Sequence, residues 1–217
     1  MNGIGFKGRR APAGFPEAGW HAMTAPVRGM MATPQQVLDF WFGAPGTPDH
    51  GAFREVWFKR DPEFDAEIRR RFLHAYEAAA AGGCDDWCDG PEGCLALVLL
   101  LDQMPRNLFC GDPRAWATDA KARAVARRAL ERGYDRDLPP QGRAFLYMPF
   151  MHSEDLADQR RSLALFEALG LPASLEAARR HLDIVERFGR FPHRNAVLGR
   201  ATTPEEAAFL QEPDSSF

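Results

Sequence analysis

The stretch from Glu92 to Gln103, EGCLALVLLLDQ, constrains this chain more than any other. Read as a helix it is apolar on nearly every side, so other elements must cover it all round. It then ends abruptly in four polar groups, Asp102, Gln103, Arg106 and Asn107, around Met104 and Pro105. Pro105 has no N–H for the carbonyl of Leu101 and pushes against it, which leaves free acceptors at a buried helix end. Arg106 and Asn107 are placed to satisfy them. In a functional reading, the same rigid element delivers Asp102 and Arg106 to an internal cavity.

The rest of the chain is punctuated as helices. Thr33-Pro34-Gln35-Gln36 and Thr203-Pro204-Glu205-Glu206 are capping boxes with proline at the first helical position. Asp61-Pro62 opens a helix with Phe64, Ile68, Phe72 and Tyr76 at four-residue spacing, closed by Gly82-Gly83. Asp112-Pro113 predicts a long helix to Gly133, and Pro140 to Met148 a shorter one. Ser153 is the expected cap of a helix ending at Gly170, and Ser174 the start of one ending near Phe188. No stretch shows strand alternation or a hairpin turn. The expectation is an all-α domain of about eight helices over residues 33–217, in successive helical pairs.

Residues 1–32 differ, being rich in Gly, Ala, Pro and Arg with Glu17 as the one acid. They carry no apolar core of a secretory signal and read as a disordered tail or a start placed too early. The whole chain has net charge −3, which argues against general nucleic-acid binding. Its longest apolar run, Cys94 to Leu101, falls short of the ~18 residues of a membrane span. Of the 27 basic residues only Lys7, Lys59 and Lys121 are lysine, and arginine suits bidentate contact with carboxylate or phosphate. Cys84, Cys88, Cys94 and Cys110 fit no zinc spacing and read as reduced thiols of a cytoplasmic protein.

Three stretches carry the candidate chemistry. The first is the helix end just described. In the second, His152 precedes Ser153, Glu154 and Asp155, the usual equipment for general acid–base work, with Gln159 on the face of Asp155. Acids in a helix's first turn are also what capping favours by itself. In the third, Arg187, Arg190, His193, Arg194, Asn195 and Arg200 are interleaved with Phe188, Phe191 and Pro192, as in a packed segment whose arginine heads point inward. If the three meet, Asp102, Glu154, Asp155 and Asp158 nearly cancel Arg106, Arg187, Arg190, Arg194 and Arg200. That balance fits an internal network, and any excess positive charge favours a small anionic ligand. A metal held by His152, Glu154 or Asp155 with His181 or His193 matches no known spacing and ranks below the acid–base reading; no cofactor is expected.

The motifs VLDFWFG (37–43), LLDQMPRNLF (100–109), YMPFMHSEDLADQ (147–159), RFGRFPHRNAVLGR (187–200) and TTPEE (202–206) occur in order. In this the chain resembles a family of bacterial and fungal proteins classed as a domain of unknown function. The likeness runs from about Thr33 to Phe217 and implies an all-helical, tetratricopeptide-like array. It assigns no catalytic residues. Met104 stands where an aromatic is common in that family, and Cys110 where arginine is common.

Two functional expectations follow. One is an enzyme or binding protein for a small anionic carboxylate or phosphate. In it His152, Glu154, Asp102 and His193 do the acid–base work, and Arg106, Asn107, Arg190, Arg194, Asn195 and Gln159 hold the ligand. Here Glu154 orients His152. The other is a helical-repeat module that binds a protein or peptide, with the polar motifs serving packing. Neither nucleic acid nor membrane is an expected partner.

Overall fold

The central helix is longer than its apolar run. In the computed structural model, which describes residues 31–213 and 215, it starts as α3 (Pro91–Val98) and passes through a π-helical turn (Leu99–Gln103) into α4 (Met104–Leu108). Residues Ala96 to Leu101 are fully buried, as an all-round apolar surface requires. Around this rod pack α1 (Pro34–Phe42), α5 (Asp119–Glu131) and α6 (Pro140–Met151), while α2 (Pro62–Ala80) lies against α4. Then α7 (Leu156–Leu169) packs on α6, and α8 (Pro172–Phe188) on α7 and α6; α9 (Pro204–Phe209) closes the unit. With the rod taken as one helix, the described residues form eight helices joined by short connections, several of them 3-10 turns, with no strand among them. The expectation for the N-terminal segment lies, for residues 1–30, outside the described residues.

Pro105 does not end the helix at Gln103, contrary to expectation. Instead the Met104 N–H bonds the Leu99 carbonyl five residues back, and the widened turn carries the chain past the proline. The Leu101 carbonyl that Pro105 cannot serve accepts a hydrogen bond from the Thr118 hydroxyl at 2.6 Å. The helix expected from Asp112 is broken for the same reason. Asp112 caps only a 3-10 turn (Pro113–Trp116), and α5 starts after Thr118, whose side chain is committed to the rod. Replacing Thr118 by valine leaves that buried carbonyl unserved and is expected to cost about 1–3 kcal/mol, measured as the loss of unfolding free energy in urea.

Three further boundaries differ from expectation. Helix α6 continues through Pro149 to Met151. The cap of α7 is Asp155, whose side chain accepts from the Ala157 and Asp158 N–H groups, not Ser153. Helix α8 begins at Pro172 rather than Ser174. Gly189, at φ 68°, ends α8 in a left-handed turn that sends the chain back toward α6 and α9. There Ile184, Val185, Phe191 and Phe209 make a small second core.

The cysteines also depart from expectation: Cys88 and Cys94 form a disulfide, while Cys84 and Cys110 are free. A 3-10 turn (Asp85–Asp89) folds over the start of α3 and brings the two Cα atoms to 4.3 Å. The approach is possible because residue 93 is glycine, since a Cβ there would lie 1.9 Å from the Trp87 carbonyl oxygen.

Candidate functional site

The π-helical turn aims Asp102 at the C-terminal end of α6. Its carboxylate is fully buried and accepts from Nδ1 of His152, at 2.8 and 3.0 Å to its two oxygens. The Gln103 amide donates to it as well. Arg106, one helical turn further on, lies 3.5 Å from the same carboxylate and bonds the Asp102 carbonyl. Its guanidinium also reaches both oxygens of Asp119 at 3.3 Å. Asp119 stands in the first turn of α5 because the chain breaks at Thr118. Arg194, on the 3-10 turn Pro192–Arg194, closes the group: it donates to the His152 carbonyl at 3.1 Å and lies 3.7 Å from Asp119. The faces of Phe191 and Trp116 lie 4.5 and 5.6 Å from that guanidinium.

The electrostatics follow from this burial. Desolvation acts to raise the Asp102 carboxyl, but Arg106 and His152 outweigh it and hold it well below the usual carboxylate range. Asp119 moves the other way, pushed up by burial that Arg106 only partly offsets. Burial, helped by Arg106, lowers Arg194 to about 10. His181 of α8, 6.2 Å from His152 ring to ring, bonds the Ala177 carbonyl through Nδ1. Burial, then the neighbouring His152, brings it to about 3. With Nδ1 of His152 donating to Asp102, Nε2 is left as the basic nitrogen, the arrangement used by general bases.

A second network is separate from the first. Glu154 accepts from Arg200 at 2.7 and 3.0 Å and from the Phe191 N–H at 2.8 Å. Arg200 donates to Asn195, and Asn195 donates to Glu206 at 3.2 Å. Arg190 meets Glu206 with two hydrogen bonds, at 2.6 and 2.9 Å. Here the cations and carboxylates satisfy one another and fasten the 190–206 segment to α9. Burial pushes the Glu154 carboxyl up, but the Arg200 guanidinium and the Phe191 N–H together outweigh it, and the group ends below its usual value.

The ten candidate residues therefore divide. Asp102, Arg106, His152 and Arg194 share the first network, and Glu154, Arg190 and Asn195 the second. His193 sits beside Arg194 with its ring 5.7 Å from Phe191, and burial followed by Arg194 lowers it to about 4. Asn107 turns to α2 and donates to Asp65 at 2.7 Å. Gln159 donates to the Met151 and Ser153 carbonyls at 2.6 Å each, tying the α6–α7 connection. Glu154 does not orient His152, because Asp155 takes the capping position and leaves Glu154 facing Arg200. No sequence motif marks Asp119 or Trp116 as part of this site. The Thr118-Asp119 pair, a helix-start signature inside an apparently continuous helix, was the available signal. Among the described residues no three His, Cys, Asp or Glu side chains are grouped to hold a metal.

A family model described as a bacterial protein of unknown function, DUF924, matches residues 37–214, and the chain belongs to that family. The solved structure of a protein of unknown function, ATU0120 from Agrobacterium tumefaciens, is similar to it at 45% identity, with TM-score 0.76 over 82% of this chain and 96% of that one. A search of curated proteins gives no match. No helix among the described residues is long and apolar enough to cross a membrane.

Proposed function

We propose that this protein binds a small anionic ligand, a carboxylate or phosphate, at the Arg106–Arg194 end of the first network. His152 is its acid–base group, and Asp102 positions that histidine. The observation that carries this reading is Arg194. Only 7% exposed, it donates one hydrogen bond, to the His152 carbonyl, and its Nε has none among the described residues. A buried guanidinium normally fills its donors, and an anion is the partner whose geometry fits. The charge balance allows it: Arg106 and Arg194 cancel Asp102 and Asp119, so no net negative charge stands against an anion. In the second network the guanidinium groups are spent on Glu154 and Glu206, and we assign it a structural role. The cytoplasm, rich in small phosphorylated and carboxylated metabolites, is the compartment this reading requires.

The test is thermal unfolding with inorganic phosphate and with succinate. Wild type should gain about 5–10 °C at a hundredfold excess over Kd. Arg194→Ala and Arg106→Ala should lose the gain, while Arg190→Ala, in the second network, keeps it from a lower starting temperature. A gain that survives Arg194→Ala, or no gain with any small anion, overturns the reading. It would then favour the alternative, a tetratricopeptide-like module for a protein or peptide.

A further inference from the structure

We propose that the Cys88–Cys94 disulfide is a thiol-exchange site, entered at Cys88 by a small anionic thiol. Cys88 is itself only 1% exposed, yet it lines a cavity of about 190 Å3 between the Asp85–Asp89 turn, α3 and α5. Leu97, Ala124 and Val125 form the apolar wall of that cavity, and Asp85, Lys121 and Arg128 its charged part. Lys121 is held there by Asp85 at 2.9 Å and the Ala79 carbonyl at 2.7 Å, and Arg128 by Asp89 at 3.2 Å. Asp89 stands outside the lining, so on the cavity wall itself Lys121 and Arg128 outnumber Asp85, and they favour a thiolate and a thiol that carries carboxylates. The cavity is too small for a protein surface but admits the CH2–S arm of a low-molecular-weight thiol.

The two sulfurs are not equivalent. Cys94 does not line the cavity and lies in the opening turn of α3, where its N–H makes the first helical bond to the Gly90 carbonyl at 3.0 Å. The helix N-terminus favours negative charge there, which makes Cys94 the better leaving group. The incoming thiolate therefore attacks Sγ of Cys88. The S–S bond breaks with its electron pair going to Cys94 as thiolate, and a mixed disulfide forms on Cys88. A second thiolate attacks the small thiol's sulfur in that mixed disulfide and releases Cys88 as thiolate. The two protons of the two consumed thiols end on Cys88 and Cys94. Two small thiols are oxidised to their disulfide, and the protein pair is reduced. Cys84, fully buried and pushed up by burial, is no nucleophile for this step. Such a pair exchanges with the thiol pool of a reducing compartment instead of resisting it.

The experiment incubates the folded full-length chain with reduced glutathione or with 2-mercaptoethanol. The reaction is quenched with acid, and the mixed disulfide is mapped by peptide mass spectrometry. The expected result is a mixed disulfide on Cys88 without denaturant, and glutathione losing about fivefold in rate in Lys121→Ala/Arg128→Ala while 2-mercaptoethanol is little changed. Reaction only in denaturant, attachment to Cys94, or an equal effect on both thiols would overturn the proposal. A circular dichroism spectrum matching wild type keeps a folding defect in the double variant from passing as loss of steering.

Discussion

Asp102→Ala is expected to lose about 3–5 kcal/mol of unfolding free energy at pH 7, because it leaves Arg106 and His152 facing a hole where a fully buried carboxylate stood. Asp102→Asn keeps the shape and tests the charge alone. The native carboxyl sits below its ordinary value, so the folded state binds the proton more weakly than the unfolded chain does. Its contribution is complete above the unfolded pKa of about 4 and fades as pH falls toward the folded value. The stability gap between wild type and Asp102→Asn should therefore narrow from pH 5 down to pH 2 in urea titrations. Asp119, raised by burial, has the opposite sign, favouring the fold at low pH and offsetting part of the gain as pH rises. A gap as wide at pH 2 as at pH 7 would show that the negative charge of Asp102 is not what holds the network together.

Gly93→Ala is the second large effect, and its sign runs against helix propensity. Within a helix this change ordinarily stabilises by up to about 1 kcal/mol. Here the new Cβ would stand 1.9 Å from the Trp87 carbonyl oxygen, a backbone atom that cannot rotate away. Either the Asp85–Asp89 turn lifts off α3 or the first turn of α3 unwinds. The cost should be about 3 kcal/mol, as for overpacking in a rigid site. Because the same approach joins Cys88 to Cys94, free thiol per chain in a non-reducing assay should rise along with the loss of melting temperature. A variant as stable as wild type, with the disulfide intact, would show that Trp87 yields easily.

Most of the helices could be read from local chemistry. Both threonine capping boxes, Asp61 before Pro62 and the glycine after α7 mark real ends, and the all-round apolar run is the buried centre. The exceptions lie where a tertiary partner decides a local choice. Pro105 reads as a stop unless the Thr118 hydroxyl is known to serve Leu101. Ser153 and Asp155 are both good caps, and the Ser153 hydroxyl is spent on Asp158 at 2.9 Å. The site was legible as a set of residue types but not as a grouping. Charges on three segments suggested one constellation, whereas packing sorts them into two. The partners that separate them, Asp119 and Glu206, sit in helices that looked like ordinary surface.

The π-helical turn has a consequence for how this rod is inherited. A π turn accommodates one more residue than an α turn, so the two halves of the helix are out of phase by about 100°. The apolar half, Cys94 to Leu101, is indexed to its helical neighbours, and the polar half, Asp102 to Asn107, to His152 and Asp119. Losing Leu100 or Leu101 would leave every side chain type in place and the helix unbroken, yet swing Asp102 and Arg106 to another azimuth. In this molecule the spacing of the polar end is set by a count of residues as much as by their identity, and an alignment gap there would carry the weight of a substitution.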